Sequence, residues 1–318
     1  ERFAEGEGSF EDSEVVTAYL QKVTTLAPLE GDITVAIDFG NGVSGPIYRQ
    51  VLESAGLTVF PLFEKPDGTF PNHIADPTKH ETLKDLQKLV KEEKAACGIA
   101  FDGDGDRVGF VDENGNVVSA DQLLLLLAED HLKRNPGAAV VYTCAMSSIL
   151  ETEVKRMGGK PVMCIVGHSF VEHAMREHHS HLGGEQSGHL VFRDCSTTGD
   201  GILAALAILE ILIEKGHKLS DLKKCMERQP QVLKNIEVSN KIPVAQMPEL
   251  EKLIHSMEKD LGSEGRVLFR YSGTEKKARI MVEGNNPERV EEFVDELAAS
   301  AIRCIDQKQK KARPETLS

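Results

Sequence analysis

Short apolar runs of strand length alternate with longer runs of helical period along most of this chain. That alternation restricts it to sheets assembled from βαβ units. The series starts with a helix from Val15 to Leu26, a buried strand ITVAIDF, a glycine turn, a helix GPIYRQVLESAG and a strand LTVFPLF. A helix from about Glu81 to Lys94 leads into CGIAF, a strand that ends at Asp102. After a hairpin-like turn at DENGN the series begins again, with ADQLLLLLAEDHLKRN, AAVVYTC, SSILETEVKRMG, PVMCIVG and SFVEHAMREH alternating helix and strand. It continues through HLGGEQSGHLVF to the long helix DGILAALAILEILIEKG. Around Pro230 the style changes to VLKNIEVS, the helix MPELEKLIHSMEKDLG, the strands RVLFRYS and ARIMVEG, and the helix PERVEEFVDELAASAIRCI. The expected class is α/β: two consecutive α/β domains with mixed or parallel sheets, residues 12–117 and 118–229, then a small α+β C-terminal domain, 230–318. The polar tail from Asp306 is expected to fray.

A chain of 318 residues has room for these units and for more than one core. Its net charge of -14 argues against a nucleic-acid partner, because phosphate-backbone binders gain affinity by replacing counterions with lysine and arginine. No apolar run is long enough to cross a bilayer, so no membrane partner is expected. The first dozen residues show neither a basic n-region nor an apolar h-region, so no signal peptide is read there. Cys97, Cys144, Cys164, Cys195, Cys225 and Cys304 contain no close pair, which fits reduced thiols in a cytoplasm.

The stretch FDGDGDRVGFVDENG places Asp102, Asp104 and Asp106 within five residues at the carboxyl end of a strand, where open α/β sheets bind their ligands. Three carboxylates so close repel one another unless a cation holds them ionised. The rivals are a solvated acidic turn and a calcium hand with Glu113 as its twelfth-position ligand. The latter is disfavoured by Arg107 where glycine is needed and by a strand where a helix should stand. Three oxygens with open positions left over suit Mg²⁺, which keeps waters and binds substrate phosphates. Arg107 adds a forked donor for a phosphoryl oxygen.

Three more loops carry candidate chemistry. FGNGVSG has the glycine spacing of a dinucleotide fingerprint, with Glu64 near the end of the next strand, and competes with a plain βα turn. GGEQSGH offers Glu185, Ser187 and His189 on a glycine frame, suited to sugar hydroxyls or merely to turning the chain. RYSGTEKKAR puts Arg270, Ser272, Gly273, Thr274 and Arg279 where they could converge on one phosphate, unless it is an exposed hairpin. His173, His178, His179 and His181 straddle a helix end without a tidy ligand geometry and read as a solvated surface.

Taken in order, DGDGDR, GEQSGH and RYSGTE resemble the metal, sugar and phosphate loops of the α-D-phosphohexomutase superfamily, over essentially the whole chain. AMSSIL, TTGDGI and RYSGTE…RIMVEG look most like its phosphoglucosamine mutases. VGHSFV, with His168, looks more like the phosphomannomutase and phosphoglucomutase branch, so the preferred sugar stays open. The family's first domain carries a catalytic phosphoserine in a Ser-His-Asn loop. No SHN occurs here, so the resemblance implies domains two to four, with the missing N-terminal domain as a partner.

It further implies phosphoryl transfer between the 6- and 1-positions of a hexose phosphate through a hexose bisphosphate. Mg²⁺ would sit on Asp102, Asp104 and Asp106, and Arg107 would hold the transferring group. Glu185 and Ser187 would take the sugar hydroxyls, and Arg270, Ser272, Gly273, Thr274 and Arg279 the unreactive phosphate. His189, with His168 as a weaker candidate, would move protons. The isolated chain is then expected to be inactive. The alternatives are a serine-free phosphosugar-binding protein and, through the Gly40 to Gly45 turn, a dehydrogenase.

Overall fold

The computed structural model describes residues 6, 8–26, 29, 33–226, 229–262, 265–273 and 275–312. The first unit runs α1 (Val16–Leu26), β1 (Thr34–Asp38), α2 (Gly45–Ser54), β2 (Thr58–Leu62), α3 (Lys84–Glu92), β3 (Cys97–Phe101), β4 (Val108–Asp112) and β5 (Val117–Val118). Its sheet has the order β2-β1-β3-β4-β5, with β1 parallel to β2 and β3, and β4 and β5 antiparallel. The expected helix at Glu81 divides: a 3₁₀ turn, His80–Leu83, precedes α3.

The second unit runs α4 (Ala120–Arg134), β6 (Ala139–Thr143), α5 (Ile149–Arg156), β7 (Lys160–Cys164), α6 (His168–Glu177), β8 (Leu182–Gly184), β9 (Leu190–Phe192), α7 (Gly201–Lys215) and α8 (Leu219–Leu222). Its order is β7-β6-β8-β9, the same arrangement as β2-β1-β3-β4 in the first sheet. The third unit is the antiparallel sheet β10-β12-β11 (Gln231–Glu237, Lys277–Glu283, Arg266–Tyr271), covered by α9 (Pro248–Leu261) and α10 (Pro287–Ala312). The helix α10 continues through the start of the tail that the sequence suggests would fray.

The central strands β3 and β6 are buried at every residue, as continuous apolar strands covered on both faces must be. Ser119 and Gln122 form a reciprocal cap that starts α4, and the Asp200 side chain accepts from the first amides of α7. Both helices are apolar on more than one face because they lie inside one continuous core. That core joins residues of both α/β units, among them Phe101, Phe110, Leu124, Tyr142, Leu190 and Leu206. The C-terminal unit has its own core around Leu250, Ile280 and Leu297.

An ion pair inside that last unit, Glu283 with Arg266, hydrogen-bonds across to the second. Glu283 is fully buried and accepts from Ser147 Oγ at 2.6 Å, Ser148 N at 3.1 Å and Arg266 Nε at 2.7 Å. The Arg266 guanidinium also reaches the carbonyls of Cys144 and Met146. A buried charge held this way is costly to strip of its partner.

Candidate functional site

Both candidate loops of the α/β units grow from the same place in their sheets. The third strand of each runs out, turns, and returns antiparallel: β3 to β4 around residues 102–107, and β8 to β9 around 185–189. The loops meet where Val108 N donates to Gly188 O at 3.1 Å. A Cβ at Gly188 would run into the Val108 carbonyl, and its φ of +84° also favours glycine.

In the first loop one oxygen from each of Asp102, Asp104 and Asp106 lies within 4.8 Å of the others. Asp102 is buried, and desolvation, with Asp106 and Asp104 adding repulsion, pushes its carboxyl up to about 7. Asp106 Oδ1 is buried without a hydrogen-bond partner. Convergent hard oxygens fit a divalent cation such as Mg²⁺. Arg107 Nε stands 3.5 Å from Asp102 and 3.6 Å from Asp106, partly offsetting their charge. Glu113 takes no part: β4 carries it to the far end of the hairpin, where it accepts from Ser220 Oγ.

In the second loop Glu185 is buried, its carboxyl raised by desolvation, and it accepts from Gly167 N at 3.2 Å just before α6. His189, also buried, joins the loops: its Nδ1 is 3.3 Å from Asp106 Oδ2, and its Nε2 is 2.8 Å from His168 Nδ1. Burial lowers its pKa. The row Asp106, His189, His168 is therefore continuous, with the choice of tautomer shared between the two rings.

On the C-terminal sheet Arg270 and Arg279 are directly opposite on β11 and β12, so their side chains share a face. Burial, then Arg279, lowers the pKa of Arg270, and Arg279 Nε is buried without a hydrogen-bond partner. Two guanidinium groups set side by side fit an anion. Ser272 is turned inward: its hydroxyl accepts from Glu275 N at 3.2 Å and its amide donates to Lys277 O. Gly273 is exposed, its carbonyl accepting from Lys241 Nζ at 3.1 Å, and Thr274 lies outside the described residues.

A cavity of about 710 Å³ brings Arg107, Glu185, Ser187, Arg270 and Arg279 together, floored by Leu233, Leu268 and Met281. Asp102, Asp104, Asp106, His168 and His189 are not among its lining residues; Arg107, which is, connects it to Asp102 and Asp106 at 3.5 and 3.6 Å. The glycine stretch 39–45 is a packing device, since a Cβ at Gly42 would stand 2.8 Å from the Gly103 carbonyl. Glu64, its would-be ribose ligand, is paired with Arg49 at 2.7 Å. Among the surface histidines, His181 pairs with Asp194 at 2.6 Å. Sequence reasoning assigns no role to Gln186 and Gln231, whose side chains bridge the second loop to β10 at 2.7 Å. Their spacing of 45 residues carries no local signal.

Comparison with known proteins covers the chain almost end to end. The family models for phosphoglucomutase/phosphomannomutase α/β/α domain II, α/β/α domain III and C-terminal domain match residues 17–115, 119–229 and 233–300. The phosphoglucosamine mutase of Anaeromyxobacter dehalogenans is 40% identical over 297 residues, 92% of this chain and 64% of that protein. The phosphoglucosamine mutase of Nitratidesulfovibrio vulgaris is 41% identical over 275 residues, 86% of this chain and 60% of that protein. The chain thus spans less than two thirds of these relatives' length. A phosphoglucomutase/phosphomannomutase family protein from Burkholderia thailandensis superposes with a TM-score of 0.79 at 29% identity, covering 94% of this chain and 66% of its own. N-acetylphosphoglucosamine mutase of Aspergillus fumigatus, solved with GlcNAc-6P and magnesium, shares the fold at a TM-score of 0.69 and 20% identity, over 90% of this chain and 68% of that one.

Proposed function

The chain belongs to the phosphoglucomutase/phosphomannomutase family, and from that premise we propose that it is the metal-, sugar- and phosphate-binding part of a phosphohexomutase. The observation that carries this reading is the single cavity into which three separate units each send a ligand group: Arg107, then Glu185 and Ser187, then Arg270 and Arg279. The proposed domain bounds are residues 12–117, 118–229 and 230–318, although Val118 still pairs with Phe110 in the first sheet. Glucosamine phosphate is the proposed sugar, supported by the names of the relatives at 40% and 41% identity.

In this mechanism Arg270 and Arg279 hold the phosphate that does not react, which fixes one end of the sugar. Glu185 and Ser187 take its hydroxyls. Mg²⁺ bound at Asp102, Asp104 and Asp106 would supply neutralising charge for the transferring phosphoryl group. Arg107 holds an oxygen of that group from the cavity side. The attacking sugar hydroxyl must lose a proton. His168 accepts it at Nε2 and passes its Nδ1 proton across the 2.8 Å bond to His189, whose charge Asp106 offsets. The phosphoryl comes from a phosphoserine outside these 318 residues, gives a hexose bisphosphate, and the other phosphate returns to the serine. Burial of the thiols Cys97 and Cys304 fits a reduced, cytoplasmic setting.

Calorimetric titration with glucosamine 6-phosphate, glucose 6-phosphate and mannose 6-phosphate tests this, with Arg270→Ala beside the parent chain. Glucosamine 6-phosphate should bind tightest, and Arg270→Ala should weaken it about ten- to a hundredfold, the worth of a charge-assisted contact. The chain alone should show no mutase turnover and should gain it when joined to a phosphoserine-bearing unit. Unchanged binding in Arg270→Ala would sink the phosphate assignment.

A further inference from the structure

The acidic loop hangs from donors that lie outside it. Val43 N donates to Gly103 O at 3.0 Å, and Gly201 N, the first amide of α7, donates to Gly105 O at 2.9 Å. The third donor is a side chain. Tyr48 on α2 donates its hydroxyl to the same Gly105 O at 2.9 Å. Its ring lies edge-on to Phe101, with centroids 4.9 Å apart. Phe101 ends β3 and immediately precedes Asp102, whereas Gly105 separates Asp104 from Asp106. One buried side chain therefore touches the loop at its root and at its tip.

The surroundings keep that hydroxyl a donor. Tyr19 gives its own proton to Asp200 Oδ2 at 3.0 Å, and Asp200 Oδ1 stands 3.4 Å from the Tyr48 oxygen. Burial, then the Asp200 charge, raises the Tyr48 phenol far above its ordinary value, so it stays protonated. Asp200 also accepts from Ile202 N at 3.2 Å, which sets the first turn of α7 and with it the Gly201 amide. The tip of the loop is thus held from α2 and from the second α/β unit at once.

Three like charges within 4.8 Å drive a loose loop apart, and a cation must then gather them at a cost in binding. We propose that Tyr48 is a positioning residue for the metal loop, holding Phe101 and Gly105 so that the three carboxylates converge before the cation arrives. This rests on the reading of Asp102, Asp104 and Asp106 as metal ligands. The hydroxyl does the holding at the tip and the ring at the root, so the two contributions separate by substitution.

The test titrates MgCl₂ and MnCl₂ into the parent chain, Tyr48→Phe, Tyr48→Leu and Asp104→Asn by calorimetry, with Mn²⁺ electron paramagnetic resonance on each. Tyr48→Phe keeps the ring and leaves Gly105 O with the Gly201 amide, so the fold should hold. It should bind metal about three- to tenfold more weakly, the worth of one hydrogen bond, with a broadened Mn²⁺ spectrum. Tyr48→Leu should lose more. If Tyr48→Phe matches the parent in affinity and spectrum, the proposal is overturned whatever Tyr48→Leu does, since ring packing alone would explain the latter. If the parent binds neither metal, or Asp104→Asn binds as well as the parent, the metal reading itself falls and takes the role of Tyr48 with it.

Discussion

The β3–β4 loop and the β8–β9 loop occupy the same position in two sheets of the same strand order, yet their chemistry is opposite. The first exposes Asp104 and crowds three carboxylates; it closes through Gly105 N to Asp102 O and is held from outside at Gly103 O and Gly105 O. The second buries its only carboxylate, Glu185, and closes on itself through Gly188 N to Glu185 O and Glu185 N to His189 O. One topological position carries three carboxylates in the first turn, spaced by Gly103 and Gly105, and a single carboxylate with Ser187 and His189 in the second. Position comes from the sheet and chemistry from the side chains, a division that keeps fold and function separable.

The largest effect should come from breaking the point where the two loops touch. Gly188→Ala drives a Cβ into the Val108 carbonyl at a φ of +84°. Overpacking and left-handed strain together should cost about 2–4 kcal/mol of stability, read as a shifted urea midpoint. Retained stability would mean that the loops are independent, and the comparison would lose its physical link.

Two substitutions should sharpen the contrast. Asp104→Asn removes one charge of three from an exposed position and should weaken Mg²⁺ binding about tenfold or more while leaving the metal-free chain no less stable. Glu185→Gln should leave Mg²⁺ affinity alone and weaken glucosamine 6-phosphate about tenfold. Calorimetry on both variants with both ligands gives four numbers. If each substitution weakens both ligands equally, the loops are one site and not two.

Much of this is legible in the sequence. Strands β3 and β6 are apolar runs buried at every residue, and such runs stand out in a chain with 28% charged residues. The acidic triplet and the glycine frame are local patterns, and the structure places them on hairpin turns. What stayed hidden depends on contacts far apart in sequence. Tyr48 is an ordinary apolar position of an amphipathic helix until it meets Gly105, and Glu283 ends an unremarkable strand until it meets Ser147. Ser272 shows the converse. Its amide looks available in RYSGTE, but a bond to Lys277 O already uses it, and its hydroxyl oxygen accepts from Glu275 N. Glu113, the twelfth-position ligand of the disfavoured calcium hand, is separated from the turn by the five paired residues of β4, a strand the sequence reading does not assign.

The smallest effect concerns the ends of two strands at equivalent places in their sheets, Asp38 on β1 and Thr143 on β6. Thr143 is neutral and its buried hydroxyl lacks a hydrogen-bond partner, so nothing there titrates. Asp38 accepts from Gly40 N at 2.8 Å and pairs with His73 Nε2 at 2.9 Å. The hydrogen bond to Asp38 raises the His73 pKa to about 9, against an ordinary value of 6.5. A pKa raised by folding means that the protonated ring stabilises the native state. That contribution is complete below pH 6.5 and is lost as the pH climbs through about 9. His73→Gln should therefore be less stable than the parent at pH 6, by no more than about 1 kcal/mol for a partly solvated pair, with the gap shrinking towards pH 9.5. Urea midpoints of the two chains at both pH values read this out, and taking their difference cancels every group that titrates alike in both. A gap that does not change with pH would show that the pair is not charged in the folded chain, and the pH sensitivity assigned to the first unit would have to be sought elsewhere.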